Sequence, residues 1–91
     1  MLYVIIGRDG AEASELRPGL RPDHLEHLGR YDREGRVKLA GPLTDGHGSL
    51  IVMEAASEQE VRAIADADPY VTGGVFESVE IHPFKQVLPE P

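Results

Sequence analysis

The sequence predicts an α+β domain in which four antiparallel strands form one sheet and two helices cover one face of it. Four segments have the short apolar runs or the alternation typical of strands, and two have apolar residues at helical spacing. Their order is strand, helix, strand, strand, helix, strand, which is the ferredoxin-like βαββαβ arrangement. The 91 residues suffice for a single domain, with an expected core over residues 2–87 and a loosely packed tail at 88–91.

The first half of the chain is expected to supply a central strand and a helix. Leu2 to Ile6 is an unbroken apolar run rich in β-branched residues, typical of a strand buried on both faces. Residues 8–19 contain proline and glycine among charged side chains, so we expect an irregular loop. Proline suits the first turn of a helix, and the first helix is therefore predicted to cover Pro22 to Glu34 and to end before Gly35.

A hairpin is predicted in the middle of the chain. Val37 to Pro42 favours a strand, and its closing proline indicates an edge position or a strand end. Residues 44–48, TDGHG, carry the Asp-Gly signal of a tight turn. Leu50 to Ala55 is then the returning strand.

The last third of the chain is expected to supply the second helix and the last strand. Ser57 and Glu60 have the spacing of a capping box, and the helix is predicted to continue to about Ala67. Phe76 to Phe84 alternates as a strand does. The alternation assigns Val79 and Ile81 to one face and Phe76, Ser78, Glu80, His82 and Phe84 to the other.

Composition excludes several classes of function. The chain has 16 acidic and 9 basic residues, a formal charge of -7, which repels phosphate backbones, so nucleic acid is not an expected partner. It has no cysteine, which excludes disulfides, a thiolate nucleophile and a cysteine-based zinc site. No apolar run approaches the roughly 20 residues of a membrane span, and no signal segment is evident. We therefore expect a soluble cytoplasmic protein without a membrane partner.

The segment ADADPYVTGGVF, residues 65–76, is the strongest candidate for a functional site. Pro69 disfavours helical angles at Asp68, so the second helix is expected to end there and to hold this carboxylate at a rigid boundary. In the βαββαβ topology the end of the second helix and the start of the first lie at the same end of the sheet. That brings His24, three residues into the predicted first helix, close to Asp68.

Histidine and aspartate together can perform proton transfer. Imidazole exchanges protons near neutral pH, and a carboxylate on its other ring nitrogen fixes the tautomer and stabilises the imidazolium. A position in the first helical turn would favour the neutral ring. The alternative is a structural hydrogen bond that ties two helix ends together. His27 lies one turn beyond His24, but the pair has no clear third ligand, so we expect no metal.

Three further residues are candidates for substrate binding, namely Arg8, Pro42 and Tyr70. Arg8 and Pro42 belong to the same end of the predicted sheet, and Tyr70 closely follows Asp68. Arg8 would hold an anionic substrate, or simply balance the acidic surface. Tyr70 would line the mouth of a pocket, or act as a lid on the core.

Five blocks of this sequence resemble a known family. LYVIIGRD, RPDHLEHL, LAGPL, GSLIVMEA and ADADPYVTGGVFESVEIHPFK are similar, in order and spacing, to blocks of the YciI-like (YCII-related) family, over Leu2 to Val87. The resemblance implies a ferredoxin-like chain that pairs through its open sheet face, as dimeric α/β-barrel proteins do. It also implies a catalytic centre of one histidine and one aspartate, which fall on His24 and Asp68.

Two functions from different classes are consistent with these features. The first is a cofactor-independent enzyme in which His24 and Asp68 transfer a proton on a small organic molecule. Some relatives of the family are linked to dehydrochlorination of aromatic compounds, but most of its chemistry is unassigned. The second is a non-catalytic module of the same fold that binds a small ligand or serves assembly. In either case we expect a homodimer, because two helices cover only one face of an apolar sheet.

Overall fold

The computed structural model describes residues 1–91 and has the predicted order of elements, with one additional short helix. The strands are β1 (Leu2–Asp9), β2 (Val37–Pro42), β3 (Gly48–Glu54) and β4 (Phe76–Phe84), and the helices are α1 (Ala13–Arg33), α2 (Glu58–Asp66) and α3 (Pro69–Thr72). The strands form one antiparallel sheet in the order β2-β3-β1-β4. The ferredoxin-like fold predicted from the sequence is confirmed.

The central strand β1 has two different faces. Tyr3 and Ile5 point towards the helices and are buried, whereas Val4 and its neighbours on the opposite face are only half-buried. The prediction that this strand is central is correct, but a single chain covers only one of its faces. We call the uncovered side the open face. Its apolar residues are Leu2, Val4, Ile6, Leu39, Leu50, Val52 and Phe84.

The hydrophobic core lies between the covered side of the sheet and the helices. Met53 of β3 and Val61 of α2 are completely buried in it, and burial of an aliphatic side chain of this size stabilises a fold by about 1.5–3 kcal/mol. Leu28 joins α1 to the same cluster. A second, smaller cluster contains Ala13, Tyr70, Val75 and Phe76. No helix combines the length and the hydropathy that a membrane span requires.

Helix α1 begins at Ala13, nine residues before the predicted start, and contains Pro18 and Pro22 in its interior. A proline inside a helix removes one hydrogen bond, which usually ends the helix. Here both prolines are exposed, so the carbonyl groups that they free can bond water. Packing of Ala13 and Leu20 with the second cluster stabilises the upstream turns. The segment predicted as an irregular loop is therefore mostly helical.

Strand β4 departs from simple alternation at its start. Asp9 pairs with Phe76 whereas Arg8 pairs with Ser78, so Glu77 is an extra residue in β4. This bulge turns Phe76 to the helix side, and the prediction that it shares a face with Ser78 is wrong. Its ring lies over Gly7, where a Cβ atom would come within 2.5 Å of the ring.

The boundaries of α2 agree with the capping signal. The Oγ of Ser57 accepts a hydrogen bond from the backbone N–H of Glu60 at 3.1 Å. The Glu60 carboxylate accepts from Ala56 at 2.9 Å rather than from Ser57, so only half of the capping box forms. After α2 the chain makes one turn of helix, α3, which the sequence did not predict.

Candidate functional site

A buried hydrogen bond joins the imidazole of His24 to the carboxylate of Asp68. The Nδ1 atom lies 2.8 Å from Oδ1 and 3.0 Å from Oδ2. His24 is 8% exposed and Asp68 is 3% exposed, so little water competes for this bond. The pair joins the middle of α1 to the junction between α2 and α3.

The local chain direction fixes the Asp68 carboxylate. Asp68 has an extended backbone between α2 and α3, and Pro69 occupies the first position of α3. Its Oδ1 also accepts a hydrogen bond from the backbone N–H of Tyr70 at 2.9 Å, as an N-cap side chain does. The carboxylate therefore has a partner on each side and a fixed orientation toward His24.

His24 is not in the first turn of its helix. It lies eleven residues beyond Ala13, about three turns into α1, so the expected effect of the helix N-terminus on this ring does not apply. The carboxylate sets the tautomer instead. Asp68 accepts at Nδ1, and in the neutral ring the proton is then on Nδ1 and the lone pair on Nε2.

The Nε2 atom of His24 makes no hydrogen bond within the chain. Every fully enclosed side-chain nitrogen or oxygen in the protein has a hydrogen-bond partner, so Nε2, which has none, is not fully enclosed. Nε2 is therefore open to solvent. His24 lines a cavity of about 170 Å³ between α1 and the β2–β3 hairpin. Because Nδ1 is bound to Asp68, Nε2 is the ring nitrogen of this cavity-lining residue that remains free. A base needs such an arrangement, with one nitrogen oriented and the other free.

The phenol ring of Tyr70 stacks on His24, with 3.7 Å between ring centroids and 4° between planes. The guanidinium of Arg17 also lies over the Tyr70 ring, 5.2 Å from its centroid, in a cation–π contact. Arg17 makes two hydrogen bonds to Asp9, at 2.7 and 2.8 Å. Phe76 contacts Tyr70 edge-on, 5.5 Å between centroids. The imidazole is thus held in one plane by a series of packed groups.

Close approach of α1 and α3 makes this stack possible. A Cβ atom on Gly73 would lie 2.4 Å from Cδ1 of Leu20 and 2.8 Å from the carbonyl oxygen of Pro69, so a larger residue would displace Leu20 of α1 and crowd the backbone of α3. Gly74 follows with a φ of +84°, which glycine adopts without strain as the chain leaves α3. The paired glycines therefore position Tyr70 against His24.

The cavity brings together some of the residues that the sequence singled out. Pro42 and Tyr70 line it beside His24. Arg8 does not, since its guanidinium bonds Glu80 at 2.8 Å on the open face. Arg8 and Leu2 are an even number of residues apart on β1, so their side chains point to the same face of the sheet, away from the helices. Arg8 therefore does not line the cavity beside His24, and its role in substrate binding stays a prediction.

Sequence reasoning missed three polar residues that line the cavity, namely Arg17, Arg21 and Ser49. Arg17, Arg21 and His24 have the spacing i, i+4 and i+7, which places them on one helix face. That signal was visible, but the neighbouring prolines argued against a helix. Ser49 begins the returning strand of the hairpin, and nothing in its sequence context distinguishes it from a solvated serine.

The other histidines have separate environments. The Nε2 of His27 is 2.8 Å from the carbonyl oxygen of Ile64, which it contacts as a hydrogen-bond donor. His47 contacts Asp45 in the exposed hairpin turn. No group of three histidine, cysteine, aspartate or glutamate side chains is arranged to hold a metal ion.

Burial raises the pKa of Tyr70 above its ordinary value of 10.0, although the positive charge of Arg17 opposes the shift. At pH values between the pKa of Tyr70 in the unfolded chain and its higher pKa in the folded protein, the folded state binds more protons. Tyr70 therefore lowers the free energy of unfolding as pH rises above about 10. In a spectrophotometric titration of the three tyrosines we expect one late phase that disappears in Tyr70→Phe. A late phase that persists in this variant would assign it to Tyr3 or Tyr31.

Comparisons with known proteins identify the family of this chain. The YCII-related domain model matches residues 1–85. Protein YciI of Escherichia coli O6:H1 and that of Shigella flexneri are each 42% identical over 98 aligned positions, which cover 97% of this chain and 100% of each relative. A solved structure is also similar, that of 5-chloro-2-hydroxyhydroquinone dehydrochlorinase (TftG) from Burkholderia phenoliruptrix AC1100 in complex with 2,5-dihydroxybenzoquinone. Its TM-score is 0.83 at 26% identity, over 93% of this chain and 94% of that chain. The chain therefore belongs to the YCII-related family.

Proposed function

We propose that this protein is an enzyme that transfers a proton on a small cyclic or aromatic molecule bound in the cavity, with His24 as the base and Asp68 as the residue that orients it. One observation carries the proposal. The Nδ1 atom of His24 is held by a buried carboxylate, while Nε2 has no partner in the chain and the residue lines a cavity of about 170 Å³. A structural tie between helices would have no need of a free ring nitrogen at a cavity.

The proposed step uses only side chains of this chain. Nε2 of His24 takes a proton from a hydroxyl group or from a carbon next to a carbonyl group. An N–H bond forms, the O–H or C–H bond breaks, and the electron pair stays on the substrate. The imidazolium is stabilised by Asp68. Return of the proton to a different atom completes an isomerisation. In an elimination, the electron pair instead forms a new double bond while a leaving group departs with the electrons of its own bond to carbon, and the imidazolium returns its proton to solvent.

The size of the cavity supports a substrate of one ring. A cavity of about 150 Å³ holds a benzene molecule, and this one is about 170 Å³. The similar protein TftG is a dehydrochlorinase whose complex contains 2,5-dihydroxybenzoquinone, a six-membered ring with oxygen substituents. Leu25, Leu28 and Ile51 supply apolar wall for such a ring, and Tyr70 holds the imidazole plane against it.

The test combines binding with proton exchange. A panel of cyclic ketones, quinones and phenols is screened by the thermal shift of the protein, because a ligand that binds the folded state raises its melting temperature. Each ligand found is then incubated with the protein in D2O and followed by proton NMR. We expect deuterium at an exchangeable carbon position with the wild type and none above background with His24→Gln, which retains binding.

Two outcomes would contradict the proposal. Ligands that bind but exchange no faster with the wild type than in buffer would identify a non-catalytic binding module. Equal exchange by the wild type and His24→Gln would exclude His24 as the base. Arg62→Gln, on the exposed side of α2 and outside the cavity, is the control and should exchange as the wild type does.

We also propose that two copies of the chain pair through the open face. Its centre is apolar, with Val4 of β1 directly opposite Val52 of β3. Charged residues such as Arg8 and Glu80 lie toward its end and form an exposed ion pair. An apolar centre with a polar rim is typical of interfaces between subunits.

A further inference from the structure

The wall of the cavity has the opposite charge from the rest of the molecule. The chain carries a formal charge of -7, from 16 acidic and 9 basic residues. No aspartate or glutamate lines the cavity, whereas Arg17 and Arg21 both do. A molecule with this excess of carboxylates therefore presents two guanidinium groups beside the proposed base.

Only one of these two charges is balanced within the chain. Asp9 accepts two hydrogen bonds from Arg17, so that guanidinium is paired and also held over Tyr70. Arg21 has no carboxylate within salt-bridge distance. It is exposed one turn along α1, at the mouth of the cavity. Arg21 is thus the cation with surplus charge at this site.

A polar group lies on the wall that faces α1. Ser49 of β3 is 6% exposed and lines the cavity. Its hydroxyl makes no hydrogen bond within the chain and is not fully enclosed, so it is free to bond a molecule in the cavity that Ser49 lines. A hydroxyl there can donate a hydrogen bond to an oxygen of a ligand.

We propose that the cavity selects a ring-sized molecule with an anionic oxygen, a carboxylate, phenolate or enolate, which Arg21 binds at the mouth while Ser49 bonds to a second oxygen of the same ligand. This inference rests on the proposed function and adds the substrate class to it. A guanidinium beside a base also stabilises the negative charge that develops when the base removes a proton. Arg21 and Ser49 are therefore specificity-determining residues, and His24 remains the base.

The test compares two probes of similar size that differ in charge. 2,5-dihydroxybenzoquinone has acidic hydroxyl groups that are ionised at neutral pH, whereas hydroquinone is neutral there. Calorimetric titration of the wild type is expected to give at least about tenfold tighter binding of the anion, and added salt should reduce this difference because exposed charges are screened.

The variants assign the preference to particular residues. Arg21→Gln should weaken binding of the anion by about tenfold or more, the range of a charge-assisted contact, and leave binding of hydroquinone within about twofold of the wild type. Ser49→Ala should weaken binding of the anion by about two- to tenfold. Arg62→Gln, which removes the same charge from exposed α2, should change neither affinity.

Three results would overturn the inference. They are an Arg21→Gln variant with wild-type affinity for the anion, an equal loss for both probes, and a wild type that binds no dihydroxybenzoquinone at millimolar concentration. The proposed function can fail separately. Anion binding that depends on Arg21, without proton exchange by the wild type, would leave this inference standing and remove the catalytic role of His24.

Discussion

The Asp68→Asn variant is expected to fold and to lose about 10²- to 10⁴-fold in turnover, the usual contribution of a positioned base. Asparagine keeps an oxygen that accepts the Tyr70 N–H bond, so the cap of α3 survives. The same oxygen lies 2.8 Å from Nδ1 of His24 and can still accept from it, but the amide carries no negative charge. The imidazolium that forms when Nε2 takes a proton is then no longer stabilised by a carboxylate, which weakens His24 as a base.

The stability of this variant separates a catalytic role from a structural one. Urea unfolding should show a loss of less than about 1.5 kcal/mol, the range of one ordinary hydrogen bond. Asp66→Asn is the matched control, since this carboxylate is exposed at the end of α2. Wild-type turnover in Asp68→Asn would show that Asp68 does not orient the base. Failure of the variant to fold would make the pair a structural tie.

The second large effect is expected at the open face. Light scattering of the wild type at micromolar concentration should give a mass of twice 9.9 kDa. Val4→Glu should give the mass of one chain. An unpaired carboxylate buried at the centre of an interface costs about 3–5 kcal/mol, which weakens a dimer by at least about a hundredfold.

A matched variant controls for added charge. Ala63→Glu introduces the same carboxylate on the exposed surface of α2, on the other side of the molecule, and should remain a dimer. Circular dichroism shows whether Val4→Glu keeps its secondary structure. A wild type that is a stable monomer at micromolar concentration would refute pairing through this face, and so would a Val4→Glu dimer.

The sequence predicted the fold because its strands carry local signals. The apolar run at Leu2, the turn at 44–48 and the cap at Ser57 each specify their element from residues close in the chain. Such signals fail where distant contacts decide. Pro18 and Pro22 argue locally for a break, and only packing against α3 and the second cluster explains why α1 continues through them.

The candidate site was predictable to a similar extent. His24 and Asp68 were named from topology and resemblance, and the structure joins them. The prediction for Arg8 used only its position at the end of a strand. Strand alternation puts its side chain on the same face as that of Leu2, which is the open face. Ser49 carries no local signal, and the neighbouring prolines mask the helical spacing of Arg21 with His24, so this cavity wall follows only from the packing of α1 against the hairpin.

The tautomer of His24 tests the proposed base most directly. A long-range proton–nitrogen NMR spectrum at a pH where the ring is neutral distinguishes a protonated nitrogen from one with a lone pair, and the His24→Gln spectrum assigns the signals among the four histidines. We expect a proton on Nδ1 and a lone pair on Nε2 in the wild type. A wild-type ring with its proton on Nε2 would contradict the proposal, because no base would then face the cavity.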